Sequence, residues 1–203
     1  MFASIKNYCD QLVRCFNEIP PERKQLLEGL SVYLKAKKVN DQPIRLIYIC
    51  THNSRRSHFG QIWAHVAADY YKISDVTTYS GGTEATSFNE NARAALQRIG
   101  FIVVGAEGTI NPVFELSYSD AVAPIRCFSK TYDHPTNPTT DFAAIMTCSD
   151  AEQNCPFIPG VELRIGTTYS DPKAYDTTPE CNQQYDLRCR QIALETFYVF
   201  SNL

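Results

Sequence analysis

No apolar run in this chain approaches the roughly 20 residues needed to span a bilayer, so no membrane partner is expected. The opening residues, MFASIKNYCDQLVRCF, lack a continuous apolar core and a small-residue cleavage site. They do not read as a signal peptide, and a cytoplasmic location is the expectation. Cys-x2-Cys pairs are missing, and the four histidines do not cluster with cysteines at zinc-finger spacing, so no metal site is expected. A net charge of only -3 gives no reason to expect nucleic acid or an acidic membrane surface. Internal repeats and low-complexity tracts are absent. What remains is a 203-residue chain, 44% hydrophobic, which fits one large domain or a domain with an extension. Its eight cysteines do not imply a disulfide framework, because a chain this long and apolar does not need one. Thiol chemistry in a reducing compartment is the better reading.

The informative stretch is Ile44 to Ser57, IRLIYI-CTHNSRRS. A β-prone apolar run leads straight into Cys50. After the loop come Phe59, Ile62, Trp63, Val66, Ala67 and Tyr70 at helical spacing, so the order is strand, tight loop, helix. A loop between a strand end and a helix start has free backbone N–H groups and a positive dipole end, and is a ready anion site. A cysteine placed there is expected as a thiolate near neutral pH. Arg56, closing the loop, offers a planar fork to two oxygens of a tetrahedral oxyanion.

Residues 1–42 read as a helical extension to a domain spanning 43–203. Ile5, Tyr8, Cys9, Leu12, Val13 and Phe16 recur helically, Pro20-Pro21 breaks the chain, and Leu26, Leu27, Leu30 and Leu34 share one side of a second helix. This pair packs on the core; a homodimer through it is the alternative. Val76 to Gly82 predicts a strand. A helix follows, capped by Asn89 or Asn91 and closed by Gly100. Phe101 to Val104 then extends a β-α-β-α pattern, which implies a parallel sheet covered by helices. Weaker strands are expected near Val113 to Leu116 and Arg126 to Lys130, and a buried one at Phe142 to Thr147. The last of these delivers Cys148. Cys148 and Cys155, seven apart, fit one face of a helix, where a rigid backbone would keep their sulfurs too far apart to bond. A disulfide between them needs the segment to rearrange. Val161 to Gly166 predicts a final strand leading to Asp171-Pro172, and Cys181 to Phe200 a closing helix.

Cys-x5-Arg-Ser, with Asn53 and Ser57 in place, resembles the signature loop of the low-molecular-weight tyrosine phosphatase superfamily. The later order, CSDAEQNCP and then an Asp-Pro loop and a terminal helix, is similar to its thioredoxin-coupled arsenate reductases. The plain phosphatases lack the second cysteine pair. This resemblance implies a single α/β domain with a parallel sheet of about four strands and helices on its faces. Three positions depart from the family pattern: His52 stands where glycine is usual, Arg55 where cysteine is frequent, and Lys173 where tyrosine phosphatases carry an aromatic.

The resemblance also implies roles. The N–H groups of Thr51, His52, Asn53, Ser54, Arg55 and Arg56 would bind the oxyanion with the Arg56 guanidinium. Cys50 would attack, Ser57 would donate to its thiolate, and Asp171 would protonate the leaving oxygen. Cys148 and then Cys155 would carry the disulfide outward to thioredoxin, with no bound cofactor. Asn53 is expected to shape the loop through a left-handed backbone without contributing chemistry. Cys9, Cys15, Cys127, Cys181 and Cys189 read as structural. Two rivals stand beside the reductase: a phosphatase acting on phosphotyrosine or a small phosphoester through Cys50, and a non-catalytic oxyanion-binding protein.

Overall fold

The β-branched run Ile44–Cys50 forms β1, buried along almost its whole length. A strand buried on both faces belongs in the middle of a sheet. A computed structural model, which describes residues 1–105, 109–154 and 157–203, places it there. The main sheet has four parallel strands in the order β2 (Val76–Gly82), β1, β6 (Phe142–Met146), β7 (Val161–Gly166). Register pairs Ile49 with Gly81 on one side and with Met146 on the other. The C-terminal ends of all four strands therefore open on one edge, where the Cys50 loop lies.

Helix α3 (Arg56–Tyr70) follows that loop, as its apolar spacing predicts. Helix α4 (Glu90–Ile99) begins at Asn89, whose side chain accepts from Ala92 N–H. It ends at Gly100, which takes the left-handed conformation (φ 119°) that a side chain would oppose. Helix α6 (Cys181–Ser201) closes the order and lies against α3 and α4.

The third β segment departs from expectation. β3 (Ile102–Gly105) does not continue the parallel sheet. It pairs antiparallel with β4 (Phe114–Ser117), which pairs with β5 (Ile125–Cys127) in a separate three-stranded sheet. Ile102 and Val104 face solvent at 53% and 62% exposure, so this run is apolar without being buried on both faces. That is the pattern of an antiparallel edge strand.

Helices α1 (Ala3–Arg14) and α2 (Pro21–Val39) are present and both pack against α6. Ile5, Cys9, Leu12, Leu27, Leu30 and Leu34 join the same buried cluster as Trp63 and Phe197. Leu26 does not; it is on the solvent side of its helix, and Lys37 is inside instead, paired with Glu162 at 2.6 Å. Tyr8 stacks on Trp63 with ring centroids 5.4 Å apart. Among the described residues no helix is long and apolar enough to cross a membrane.

Burial also fixes the state of several titratable groups. It pushes the thiols of Cys9, Cys127 and Cys189 up to about 12, so these cysteines stay protonated and unreactive. His58, fully buried with its ring centroid 4.1 Å from that of Phe88, is pushed down to about 3 by burial and then by the Lys130 charge. The unfolded chain takes a proton on this histidine below about pH 6.5, and the folded chain does not. Stability is thus present above that pH and lost as the pH falls toward 3. Between pH 7 and pH 5 the protein is expected to lose about 2 kcal/mol through this group. Urea midpoints at the two pH values measure it, and the difference should shrink in His58→Gln.

Candidate active site

The backbone from Cys50 to Arg56 is held open from outside. Thr83 N–H donates to Cys50 O (3.2 Å) and Glu84 N–H to Thr51 O (2.8 Å). His52 O accepts from Thr86 Oγ1 (3.0 Å) and Ser129 Oγ (2.9 Å), and Ser54 O accepts from Asn89 N–H (3.0 Å). In a trans peptide the N–H points opposite the carbonyl. Anchoring the carbonyls outward therefore turns the N–H groups inward. Among the described residues, no backbone acceptor takes the N–H groups of 51–56. The result is a ring of donors around the Cys50 sulfur, suited to a tetrahedral anion.

Asn53 sits at φ 43°, the left-handed conformation expected of it. Its side chain does more than the sequence reading allowed. Nδ2 donates to Ser57 Oγ (2.8 Å), and Oδ1 accepts from Lys130 N–H (2.9 Å). Ser57 Oγ lies 3.1 Å from Cys50 Sγ. Because Ser57 accepts from Asn53, its own proton is left to point at the sulfur.

Arg56 Nη1 donates to Tyr169 O (2.8 Å), and Nη2 meets Asp171 Oδ2 at 2.5 Å. Its buried Nε has no partner among the described residues. Asp171 lies just beyond β7; its other oxygen accepts from Lys173 N–H (3.0 Å) and starts the turn Pro172–Tyr175. Arg55 is different. Its side chain turns away to Tyr185 OH (2.6 Å) and Asp176 Oδ2 (3.0 Å), so only its backbone belongs to the ring. His52 likewise points outward, its Nε2 3.7 Å from Glu84 Oε2. The glycine usual at that position is not required for side-chain clearance here.

Cys148 follows β6. Because Ile49 pairs with Met146, and Thr147 N–H donates to Ile49 O (2.7 Å), the next step along both strands sets Cys148 beside Thr51. Its sulfur is 3.4 Å from Thr51 Oγ1 and accepts from Ala151 N–H (3.4 Å) in α5 (Ser149–Asn154). Cys50 and Cys148 are both buried and belong to one small apolar cluster. Cys155 lies outside the described residues.

No family model matches the chain. An arsenate reductase of Staphylococcus haemolyticus is 27% identical over 128 residues, which are 63% of this chain and 77% of that protein. Among solved structures, an arsenate reductase in a phosphate-binding state superposes with a TM-score of 0.53 at 14% identity, covering 78% of this chain and 97% of that one. A low-molecular-weight protein tyrosine phosphatase from T. tengcongensis gives 0.51 at 13% identity, covering 79% and 99%. The chain resembles arsenate reductases in sequence, and its fold is similar to that of arsenate reductases and low-molecular-weight phosphatases.

On this phosphatase-like fold the N-terminal helices reach the site. Arg23, in α2, donates to Glu195 Oε2 (2.9 Å) and to Thr167 O (2.9 Å), and its guanidinium covers the Tyr169 ring at 4.8 Å. Tyr169 OH donates to the same Glu195 oxygen (2.8 Å). Tyr169 O in turn holds Arg56. The sequence gives no hint of this support, because Arg23 and Glu195 are 172 residues apart. Arg23→Ala would leave a carboxylate that is only 3% exposed without its cation. It is expected to cost on the order of 3 kcal/mol, read from urea denaturation, and to lower kcat more than it raises KM. Arg23→Lys should recover part of both.

Proposed function

We propose that this protein is an arsenate reductase, working through a relay of thiols. The observation that carries this reading is Cys148, a second buried cysteine set against the anion loop by strand register. A phosphatase needs no thiol there. Arsenate enters the ring of N–H groups and takes the Arg56 guanidinium. The Cys50 thiolate attacks arsenic, an S–As bond forms, and an oxygen leaves as water with a proton from Asp171. The Cys148 thiolate then attacks the Cys50 sulfur. As the S–S bond forms, the S–As bond breaks and its electron pair stays on arsenic, which leaves as arsenite. Cys155 attacks Cys148, releases Cys50, and leaves a Cys148–Cys155 disulfide. A thioredoxin dithiol returns the two electrons.

The same cradle, with Asp171 beside Arg56, also fits phosphoester hydrolysis through a phosphocysteine on Cys50. One experiment separates the two. NADPH consumption is followed with thioredoxin, thioredoxin reductase and arsenate, and p-nitrophenyl phosphate hydrolysis is measured on the same preparation. Arsenate-dependent oxidation is the expected result. Hydrolysis without oxidation would overturn the reductase reading and make the protein a phosphatase.

A further inference from the structure

A cleft separates β2 from the segment 124–132 on its open edge. The two touch at one end, where Gly82 bridges Thr131 in parallel, Gly82 N–H donates to Lys130 O (2.9 Å) and Tyr132 N–H donates to Gly82 O (2.9 Å). That is the one bridge between them among the described residues. Back from it, toward Val76 and Pro124, lies a cleft of about 310 Å³. Gln61, Thr78, Tyr79, Arg126, Phe128 and Lys130 are among its walls.

Two buried polar atoms in this cleft lack a hydrogen-bond partner among the described residues, and a buried lysine beside them has no anion. Gln61 is 5% exposed, and its Oε1 accepts nothing, although its Nε2 reaches Arg126 O at 3.4 Å. Thr78 is 8% exposed, and its Oγ1 is unpaired. Lys130 is 5% exposed, and its ammonium faces the Phe128 ring at 4.5 Å. Among the described residues no carboxylate pairs with Lys130 and none lines the cleft. Buried polar groups are nearly always satisfied, and a buried cation without an anion is costly. Burial lowers the Lys130 amine to about 8, so it remains largely charged at neutral pH. Arg126, exposed beside it, adds a second positive charge at the rim.

We propose that this cleft is a second anion-binding site, separate from the Cys50 loop, and that it takes a small carboxylate or phosphate ester. The anionic head meets the Lys130 ammonium and the Thr78 hydroxyl, and an O–H or N–H of the ligand meets Gln61 Oε1. The ligand is sensed at the catalytic loop. Lys130 N–H bonds Asn53 Oδ1, Asn53 Nδ2 bonds Ser57 Oγ, and Ser57 Oγ lies against Cys50 Sγ. Ser129, the neighbour of Lys130, holds His52 O in the same loop.

The test is amide NMR of the whole chain titrated with malonate and, separately, with inorganic phosphate. Saturable shifts at residues 76–79 and 126–130 with either anion are expected, with a smaller shift at Asn53. Malonate alone at these residues would name a carboxylate ligand, and phosphate alone a phosphate ester. Lys130→Met should remove these shifts. Thr78→Val, a near-isosteric change, should weaken the Kd about tenfold and serves if the lysine variant does not fold. Shifts confined to residues 50–57, no shifts with either anion, or cleft shifts that survive Lys130→Met would overturn the proposal. The readout needs no turnover, so it stands or fails independently of the reductase reading.

Discussion

Cys148→Ser is expected to bring arsenate-dependent NADPH oxidation to background, a loss of at least about 10³-fold, while p-nitrophenyl phosphate hydrolysis stays within about threefold of the parent protein. The reductive step needs a sulfur to form the S–S bond, and a serine oxygen cannot take that place. Serine is close to cysteine in size and offers an oxygen to Ala151 N–H and Thr51 Oγ1, the two groups that Cys148 Sγ meets. The loop, Arg56 and Asp171 therefore keep their positions, and the hydrolytic half of the chemistry survives. Arsenate turnover that persisted in this variant would refute the relay. A loss of both activities would mean that Cys148 holds the loop in shape.

Gly82→Ala should lower both activities together, for a different reason. A Cβ on Gly82 would come within 2.7 Å of both Thr51 O and Asn53 N, and closer still to Glu84 O. All three are backbone atoms and cannot swing aside. The backbone of Gly82 is not in the left-handed region, so alanine is sterically excluded here without being conformationally strained. The loop must move by a large fraction of an ångström. A displacement of about 1 Å at a reacting centre costs about 10²-fold in rate. Turnover of arsenate and of p-nitrophenyl phosphate should fall together by that factor or more, with the fold retained by circular dichroism. Unchanged rates would show that the outer segment 82–89 does not set the loop's shape.

The elements that build the site were largely readable from the sequence because each has a local signal. An apolar β-branched run marks β1, helical spacing marks α3 and α6, and Asn89 and Gly100 bound α4. The second sheet was harder. Phe101 to Val104 is as apolar as a buried parallel strand, and only its partners β4 and β5 decide that Ile102 and Val104 face water. Short strands carry little register information of their own. The support of the site was not readable at all. Arg23, Glu195 and Tyr169 act through hydrogen bonds between distant segments, and nothing near any of them in the sequence marks it. The Asn53 side chain is an intermediate case. A residue type that tolerates a left-handed backbone is evident, but its bonds to Ser57 and Lys130 depend on how segment 129–131 crosses the loop.

The closing helix, α6, meets α1, α2, α3 and α4. It carries Tyr185, which holds Arg55, and Glu195, which joins Tyr169 to Arg23. Asp171 and Tyr169, the partners of Arg56, come only slightly earlier in the chain. During synthesis, therefore, Cys50 emerges from the ribosome more than a hundred residues ahead of the groups that fix the two arginines of its loop. The loop's two arginines wait for partners 113 to 130 positions away, and closing such long separations is slow. Catalytic competence is among the last properties the nascent chain acquires. An unfinished chain can anchor the Cys50 loop through segment 83–89, yet it has nothing to hold Arg55 and Arg56 in place.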